Sequence, residues 1–294
     1  MRMFVSGLVN TETTVRVRQF PIEYYPIDYP FFGVDTAVSG VAFNVAKALV
    51  TLGDQVRFAS MTGADFAAAY IGDRLRHCGI GADYLVPKLA QTPASVVLYD
   101  ENGRRQIYCD LKDIQETAYD FSAEMLENTD LVVACNIGFN RALLPLAKAA
   151  GKLIATDVHV LSDIHDAYNR EFMEMADILF LSDEAIGPHY RPFLTELAHT
   201  YRNQILVLGR GSRGAAMYCN GQILELPAAS AGAVVNTVGA GDALFSAFVH
   251  YYAKGLDPVE ALGRAQLFAA HKITVSGASN GFLPEQALEE MYHF

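Results

Sequence analysis

The sequence predicts an α/β fold with a mostly parallel sheet covered by helices on both faces. Three observations predict it. Uninterrupted apolar runs, of which Leu131-Val132-Val133-Ala134-Cys135 is the clearest, have the pattern of strands buried on both sides. Such runs alternate with segments of helical period, the signature of βαβ units with right-handed connections. At 294 residues, 51% hydrophobic and 19% charged, the chain can bury one large core and carry an appendage.

Taken in order, Met3 to Gly7 reads as a first strand. Leu8-Val9-Asn10-Thr11-Glu12 lies at its carboxyl end, where open α/β sheets bind ligands. Thr13 to Phe20 alternates with period two, a half-exposed strand. Pro21 to Pro30 is turn-like and carries Tyr24, Tyr25 and Tyr29; Phe31-Phe32-Gly33-Val34 resumes a strand. Val45, Leu49 and Leu52 share one side of a helix that Gly53 ends. Val56 to Met61 is the next strand, closing at Thr62-Gly63-Ala64-Asp65. Ile71 to Cys78 reads as a helix, and Gly79 to Asp83 as a turn into a strand. Ala94 to Tyr99 and Arg104 to Cys109 flank Asn102-Gly103, a strong hairpin signal.

Beyond the hairpin, Phe121 to Glu127 and Arg141 to Ala150 read as helices. Leu153 to Thr156, Asp177 to Leu181 and Ile205 to Leu208 are further strands, and Pro284 to Met291 is a last helix. No internal repeat and no low-complexity segment interrupts this order, so one domain over 1–294 is expected.

Charge and cysteine usage bound the partners. A formal net charge of -11 argues against a nucleic-acid surface, which needs a basic footprint. No apolar run reaches membrane-spanning length, and the first residues turn polar too soon for a signal peptide. Cys78, Cys109, Cys135 and Cys219 are scattered without CxxC or zinc spacing, so reduced thiols in a cytoplasm are expected.

The chemistry centres on Asn236-Thr237-Val238-Gly239-Ala240-Gly241-Asp242. The small-residue turn leads into an apolar helical run from Ala243 that stops at Lys254-Gly255. Unpaired N–H groups and the helix dipole make such a start favourable for anions, and glycines let a bound group come close. A carboxylate beside an anion site suggests a general base that takes a hydroxyl proton while the N–H groups hold a phosphoryl group. The alternative is an ordinary helix with Asp242 as its N-cap.

This segment resembles the second signature of the ribokinase-like (PfkB) family of carbohydrate and nucleoside kinases, usually Asp-Thr-x-Gly-Ala-Gly-Asp. The resemblance implies a three-layer sandwich with a mostly parallel central sheet and a small β-sheet lid, here drawn from about 13–38 and 92–110. It makes Asp242 the catalytic base, and Gly239, Ala240 and Gly241 the anion hole, with Thr237 on the nucleotide. In monovalent-cation-activated members the first position helps bind the cation. Asn236 stands there in this chain, which leaves potassium an open question.

Gly40, Ala42, Asn44, Ala46, Gly53 and Gly63 fall in register with the family's first signature, in which a Gly-Gly pair and an Asn line the sugar site. Ser39 replaces the first Gly, and Phe43 is bulky near the pocket. Asn10 and Glu12 stand where the family has Asn-x-Asp, whose acid holds sugar hydroxyls. The implied substrate residues are thus Asn10, Glu12, Gly40 and Asn44, with Arg104 from the hairpin.

Gly209-Arg210-Gly211-Ser212-Arg213-Gly214 matches GxGxxG on spacing. Ala215 to Cys219 then reads as a strand, whereas a dinucleotide site needs a helix there. The resemblance instead places Gly209, Gly211 and Gly214 at a nucleotide-binding turn, with Gly209 in place of the family's Thr. Arg210 and Arg213 either reach phosphates or are solvated. Ser182-Asp183-Glu184-Ala185 lies where the family has Asn-x-x-Glu, tied to magnesium through water, and Asp183 or Glu184 could take that part. Phe268 to Val275 with Ser276 to Gly281 resembles the closing helix and loop near the adenine and cation sites.

Asp157, His159, Asp163, His165 and Asp166 cluster near one strand end without HExxH-type spacing. No protein-held transition metal is expected, and Asp157 or His159 is expected to approach the cleft. His250 and His293 read as structural or exposed. The implied function is transfer of the ATP γ-phosphoryl, with magnesium, to a hydroxyl of a small sugar, by a homodimer joined through the lid. A nucleoside kinase of the same fold and a non-catalytic sugar- or nucleotide-binding regulator are the alternatives.

Overall fold

The computed structural model describes residues 1–230 and 232–292. His293 lies outside the described residues. The chain begins with β1 (Arg2–Ser6), β2 (Asn10–Arg16) and β3 (Val34–Ser39), then α1 (Val41–Thr51), β4 (Gln55–Thr62), α2 (Phe66–His77) and β5 (Gly81–Pro87). The hairpin strands β6 (Ala94–Tyr99) and β7 (Arg105–Asp110) follow. Then come β8 (Leu131–Ala134), α3 (Leu143–Ala149), β9 (Leu153–Val160), α4 (Arg170–Met175), β10 (Ile178–Ser182) and α5 (Tyr190–Tyr201). The last part holds β11 (Ile205–Gly209), β12 (Ala215–Cys219), β13 (Gln222–Leu226), α6 (Ala240–Ala253), α7 (Pro258–Lys272) and α8 (Glu285–Tyr292).

Nine strands form one sheet in the order β13-β12-β11-β10-β9-β8-β1-β4-β5. All pairs from β11 to β5 are parallel, and β12 and β13 add an antiparallel edge. The continuous apolar runs serve two cores, because successive side chains in a strand point to opposite faces. Met3, Val5, Leu131, Val133, Ile205 and Val207 pack in one core with residues of α1, α2, α6 and α7. Phe4, Val132, Ala134, Leu206 and Leu208 pack in the other with residues of α3, α4 and α5.

A second sheet, β3-β2-β6-β7, starts at Asn10, and residues 17–33 between β2 and β3 lie outside its strands. β2 pairs β6 in parallel and β3 antiparallel, so one hairpin is laid beside the other. Its edge strand β7 is exposed along its whole length. Among the described residues no helix is long and apolar enough to cross a membrane.

Several expected elements differ. α2 begins at Phe66 rather than Ile71, because the Asp65 carboxylate accepts from the Ala68 N–H at 2.9 Å and caps the helix. The helix expected over Phe121 to Glu127 is one 3-10 turn, Ala123–Leu126; the ring of Phe121 instead packs on Tyr119 and Phe139. Phe43 does not line a pocket. It is 1% exposed, and α1 turns it into the core. His250 is buried and bonds Asp54 at 2.8 Å.

Candidate active site

The parallel strands end together, and residues at those ends meet the start of α6. The N-cap of α6 is Gly239, at φ 78, a conformation that side chains resist. A Cβ on Gly239 would lie 2.3 Å from the Ala278 carbonyl oxygen, so the turn also needs glycine to pack on the 276–281 loop. Asp242 is therefore the third helical residue and not the cap. The N–H groups of Gly241 and Asp242 find no acceptor among the described residues, and open space faces Gly241. The turn thus keeps the donors of an anion site.

The Asp242 carboxylate is tied to α1. Nδ2 of Asn44 donates to its Oδ2 at 2.7 Å. Burial pushes the Asp242 carboxyl above the usual carboxylate range, and Asp157 pushes the same way. The Asn44 bond, His159 and Lys272 pull against that shift without cancelling it. Asp157 and His159, at the end of β9, thus act on the Asp242 carboxyl, with His159 Nδ1 3.7 Å from Asp157. Among the described residues no group of three or more His, Cys, Asp and Glu is arranged to hold a metal by itself.

Of the substrate residues implied by the sequence, Asn10 and Glu12 lie on β2, and Gly40 and Asn44 at the start of α1. Glu12 accepts from Ser39 Oγ at 3.3 Å, and burial raises its carboxyl, with Asp242 adding to the shift. Asn10 donates to Ser95 Oγ at 3.0 Å. The Oδ1 atoms of Asn10 and Asn44 are buried and accept no hydrogen bond. Buried acceptors without a donor are costly, and two of them beside Glu12 and Asp242 suit a ligand that carries hydroxyl donors. Gly40, at φ 103, lets the start of α1 approach the Leu8 carbonyl.

Arg104 is placed elsewhere. Its backbone N–H and its guanidinium both bond Asp100, which holds it inside the hairpin turn. The arginine that reaches the anion turn is Arg105, whose guanidinium donates to Thr237 Oγ1 at 3.4 Å. Arg104 lies in the turn and is held by Asp100, whereas Arg105 opens β7, so the hairpin turn decides which of the pair reaches the cleft.

On the nucleotide side, Gly209 ends β11 and Gly211–Arg213 forms a 3-10 turn. Gly214, at φ 86, would put a Cβ 2.1 Å from the Leu226 carbonyl oxygen, so this glycine is demanded by packing alone. Arg213 bonds Asp183 at 2.5 Å, and Arg210 pairs with Glu225 at 2.9 Å over the Tyr190 ring. Both arginines are thus ion-paired rather than simply solvated. Asp183 is occupied by that pairing, and Glu184 is the exposed carboxylate of the pair.

Lys272 was not singled out by the sequence. It ends α7 with a side chain fully buried, and Nζ donates to the Val238 carbonyl at the anion turn. A lysine in the last turn of a helix is ordinary in a sequence, and nothing in its neighbours signals burial.

A doubly covered parallel sheet, a small sheet at one end and an anion turn beside a buried carboxylate are the build of a phosphotransferase for hydroxyl acceptors. The family model for pfkB family carbohydrate kinase matches residues 32–286. The chain belongs to this family, whose members are ATP-dependent carbohydrate kinases. It is 23% identical over 262 residues to fructosamine kinase FrlD of Bacillus subtilis (strain 168), covering 87% of this chain and 89% of that protein. It is 26% identical over 299 residues to deoxyribokinase of Salmonella typhi, covering 96% and 95%. The fold is shared with a microbiome-derived acarbose kinase, at TM-score 0.87 and 24% identity over 100% of this chain and 99% of that one.

Proposed function

We propose that this enzyme transfers the γ-phosphoryl of ATP to a hydroxyl, the primary one, of a small sugar or sugar derivative, with Asp242 as general base. The observation that carries the reading is the Asp242 carboxylate, raised by burial and held by Asn44, one residue from free N–H groups of the anion turn. The acceptor oxygen bonds to the γ-phosphorus as the bond from that phosphorus to the bridging oxygen breaks. ADP leaves with the electron pair, and the acceptor proton passes to Asp242. The N–H groups of Gly241 and Asp242 stabilise charge on the transferred group.

Asn10, Glu12 and Asn44 bind the acceptor in this reading. Asn10 and Asn44 each offer a buried oxygen to a hydroxyl donor. Arg105 links the small sheet to the anion turn, which supports that sheet as a lid that excludes water. The Gly209–Gly214 turn and Thr237 take the nucleotide. Magnesium, which neutralises phosphate charge when bound, keeps several waters and needs one or two carboxylates beside the phosphates; Glu184, exposed and outside the Asp183–Arg213 pair, would take that part in this reading. A location in the cytoplasm suits an ATP-consuming enzyme with four cysteines free of disulfides. The names of the curated relatives, a fructosamine kinase and a deoxyribokinase, support a sugar acceptor.

ADP release from Mg-ATP over a panel of sugars, sugar phosphates, amino-linked sugars and nucleosides tests the reading, with Asp242→Asn as control. Turnover on a sugar that is lost in the control is the expected result. Turnover confined to nucleosides would reassign the acceptor, and turnover unchanged in the control would remove Asp242 as the base.

A further inference from the structure

A buried amine stands behind the anion turn, and phosphoryl transfer as described does not use it. A fully buried lysine needs a partner. For Lys272 the partner is a backbone carbonyl, that of Val238. The segment that carries Val238 is docked on the same helix end: the N–H groups of Val235 and Asn236 donate to the Ile273 carbonyl at 2.8 and 3.1 Å. The end of α7 therefore grips residues 235–238 at three points.

Asp242 lies in the first turn of α6, whose N–H groups have no acceptor within the helix, so its N–H is left for an anion while Lys272 ties down the Val238 carbonyl just before that turn. The charged groups that face the Lys272 ammonium are Asp242 from α6, Glu12 from β2 and Arg105 from β7. Asp157 and His159 from β9 act on Asp242 in turn. Burial lowers the Lys272 ammonium to about 8.

The same residues do not fit a potassium ion. Asn236 offers a neutral amide in place of a carboxylate, and its Oδ1 already accepts the Val238 N–H at 2.8 Å. The Val238 carbonyl already holds an ammonium. A potassium ion at these oxygens would sit beside the Lys272 ammonium, and like charges in a buried site repel.

We propose that Lys272 is a built-in cation: its ammonium holds the anion turn open and supplies the positive charge that a bound monovalent ion would otherwise supply, so nucleotide binding is independent of potassium. The inference rests on the kinase reading above. Mg-ADP binding, measured by calorimetry in potassium chloride and in N-methylglucamine chloride of equal ionic strength, tests it. The wild-type protein binds equally in both salts. Lys272→Met binds about tenfold more weakly, the loss of one charge-assisted hydrogen bond, and Lys272→Arg retains most of the affinity. Wild-type affinity falls as pH rises through about 8, where the ammonium loses its proton; Lys272→Arg lacks that fall.

Wild-type binding that strengthens severalfold in potassium would overturn the inference and leave the kinase reading standing. So would a Lys272→Met protein that binds as tightly as wild type. Failure of the wild type to bind Mg-ADP in either salt would overturn the kinase reading, and this inference with it. The wild-type salt comparison needs no substitution, so a variant that misfolds does not remove the test.

Discussion

Asn44 and Asp242 are 198 positions apart in the chain and share a 2.7 Å hydrogen bond that joins α1 to α6. The bond has a direction: the amide Nδ2 donates, and the carboxylate Oδ2 accepts. It is thus an interaction with the ionised form of Asp242, and it opposes the burial that favours the neutral form.

Asn44→Ala removes that donor. A hydrogen bond to a charged group is worth about 1.5–3 kcal/mol, so the Asp242 carboxyl rises by about one to two further pH units. The acid limb of kcat/KM moves to higher pH by that amount, and activity recovers in mildly alkaline solution. A pH–rate profile that keeps its wild-type acid limb would show that Asn44 does not set the base.

Asp242→Asn lowers turnover by about 10²–10⁴, with nucleotide affinity little changed. It also raises stability. The folded carboxyl lies above its unfolded value, so the native state holds a proton that the unfolded chain has released. Stability contributed by this group therefore falls as pH rises between the two values, and the full cost is carried above both. The neutral amide escapes that cost. Thermal melting at several pH values checks it: the variant melts above wild type, by an increment that grows through that window.

Asp65→Ala costs about 1–2 kcal/mol through loss of the α2 cap alone, which lowers Tm by roughly 2–4 °C per kcal/mol. Asp65 also accepts from the Thr92 N–H at 2.8 Å and its hydroxyl at 2.6 Å, just before β6. Burial pushes this carboxyl up, but those bonds outweigh it and hold it below the usual range. A depressed folded value gives stability that is present above the unfolded pKa and lost as pH falls through the folded one. The Tm gap between wild type and variant therefore narrows in acid, and a gap that stays constant would argue against the assignment.

The segment between β2 and β3 exposes Tyr24, Tyr29, Phe31 and Phe32, with Phe32 the most exposed at 107%. Exposed aromatics grouped in this way mark an interaction site, and the reading offered here is a second copy of the chain. Light scattering gives a dimer mass for wild type, and Phe31→Glu with Phe32→Glu gives a monomer mass. A wild-type monomer across the concentration range would remove the dimer.

Much of the fold was legible because its signals are local. A run such as Leu131 to Ala134 must be buried on both sides, whatever surrounds it. The Asn102-Gly103 turn fixes its own hairpin, and Gly239-Ala240-Gly241 announces a helix start beside Asp242. The misread elements are those whose cause is distant or subtle. Phe121 sits in an aromatic cluster rather than a helix because Tyr119 and Phe139 receive its ring.

By itself, the sequence determined the layered α/β architecture, the anion turn and the carboxylate beside it, since periodicity, glycine and helix-start chemistry act over a few residues. Tertiary structure decided which of Arg104 and Arg105 reaches that turn, because Asp100 holds Arg104 in the hairpin while Arg105 opens β7. It also decided that Asp183 is spent on Arg213. Above all it decided that Lys272 points inward at the Val238 carbonyl. A lysine at a helix end looks the same in a sequence whether water or protein surrounds it, and only the packing of α7 against the 235–238 segment removes the water.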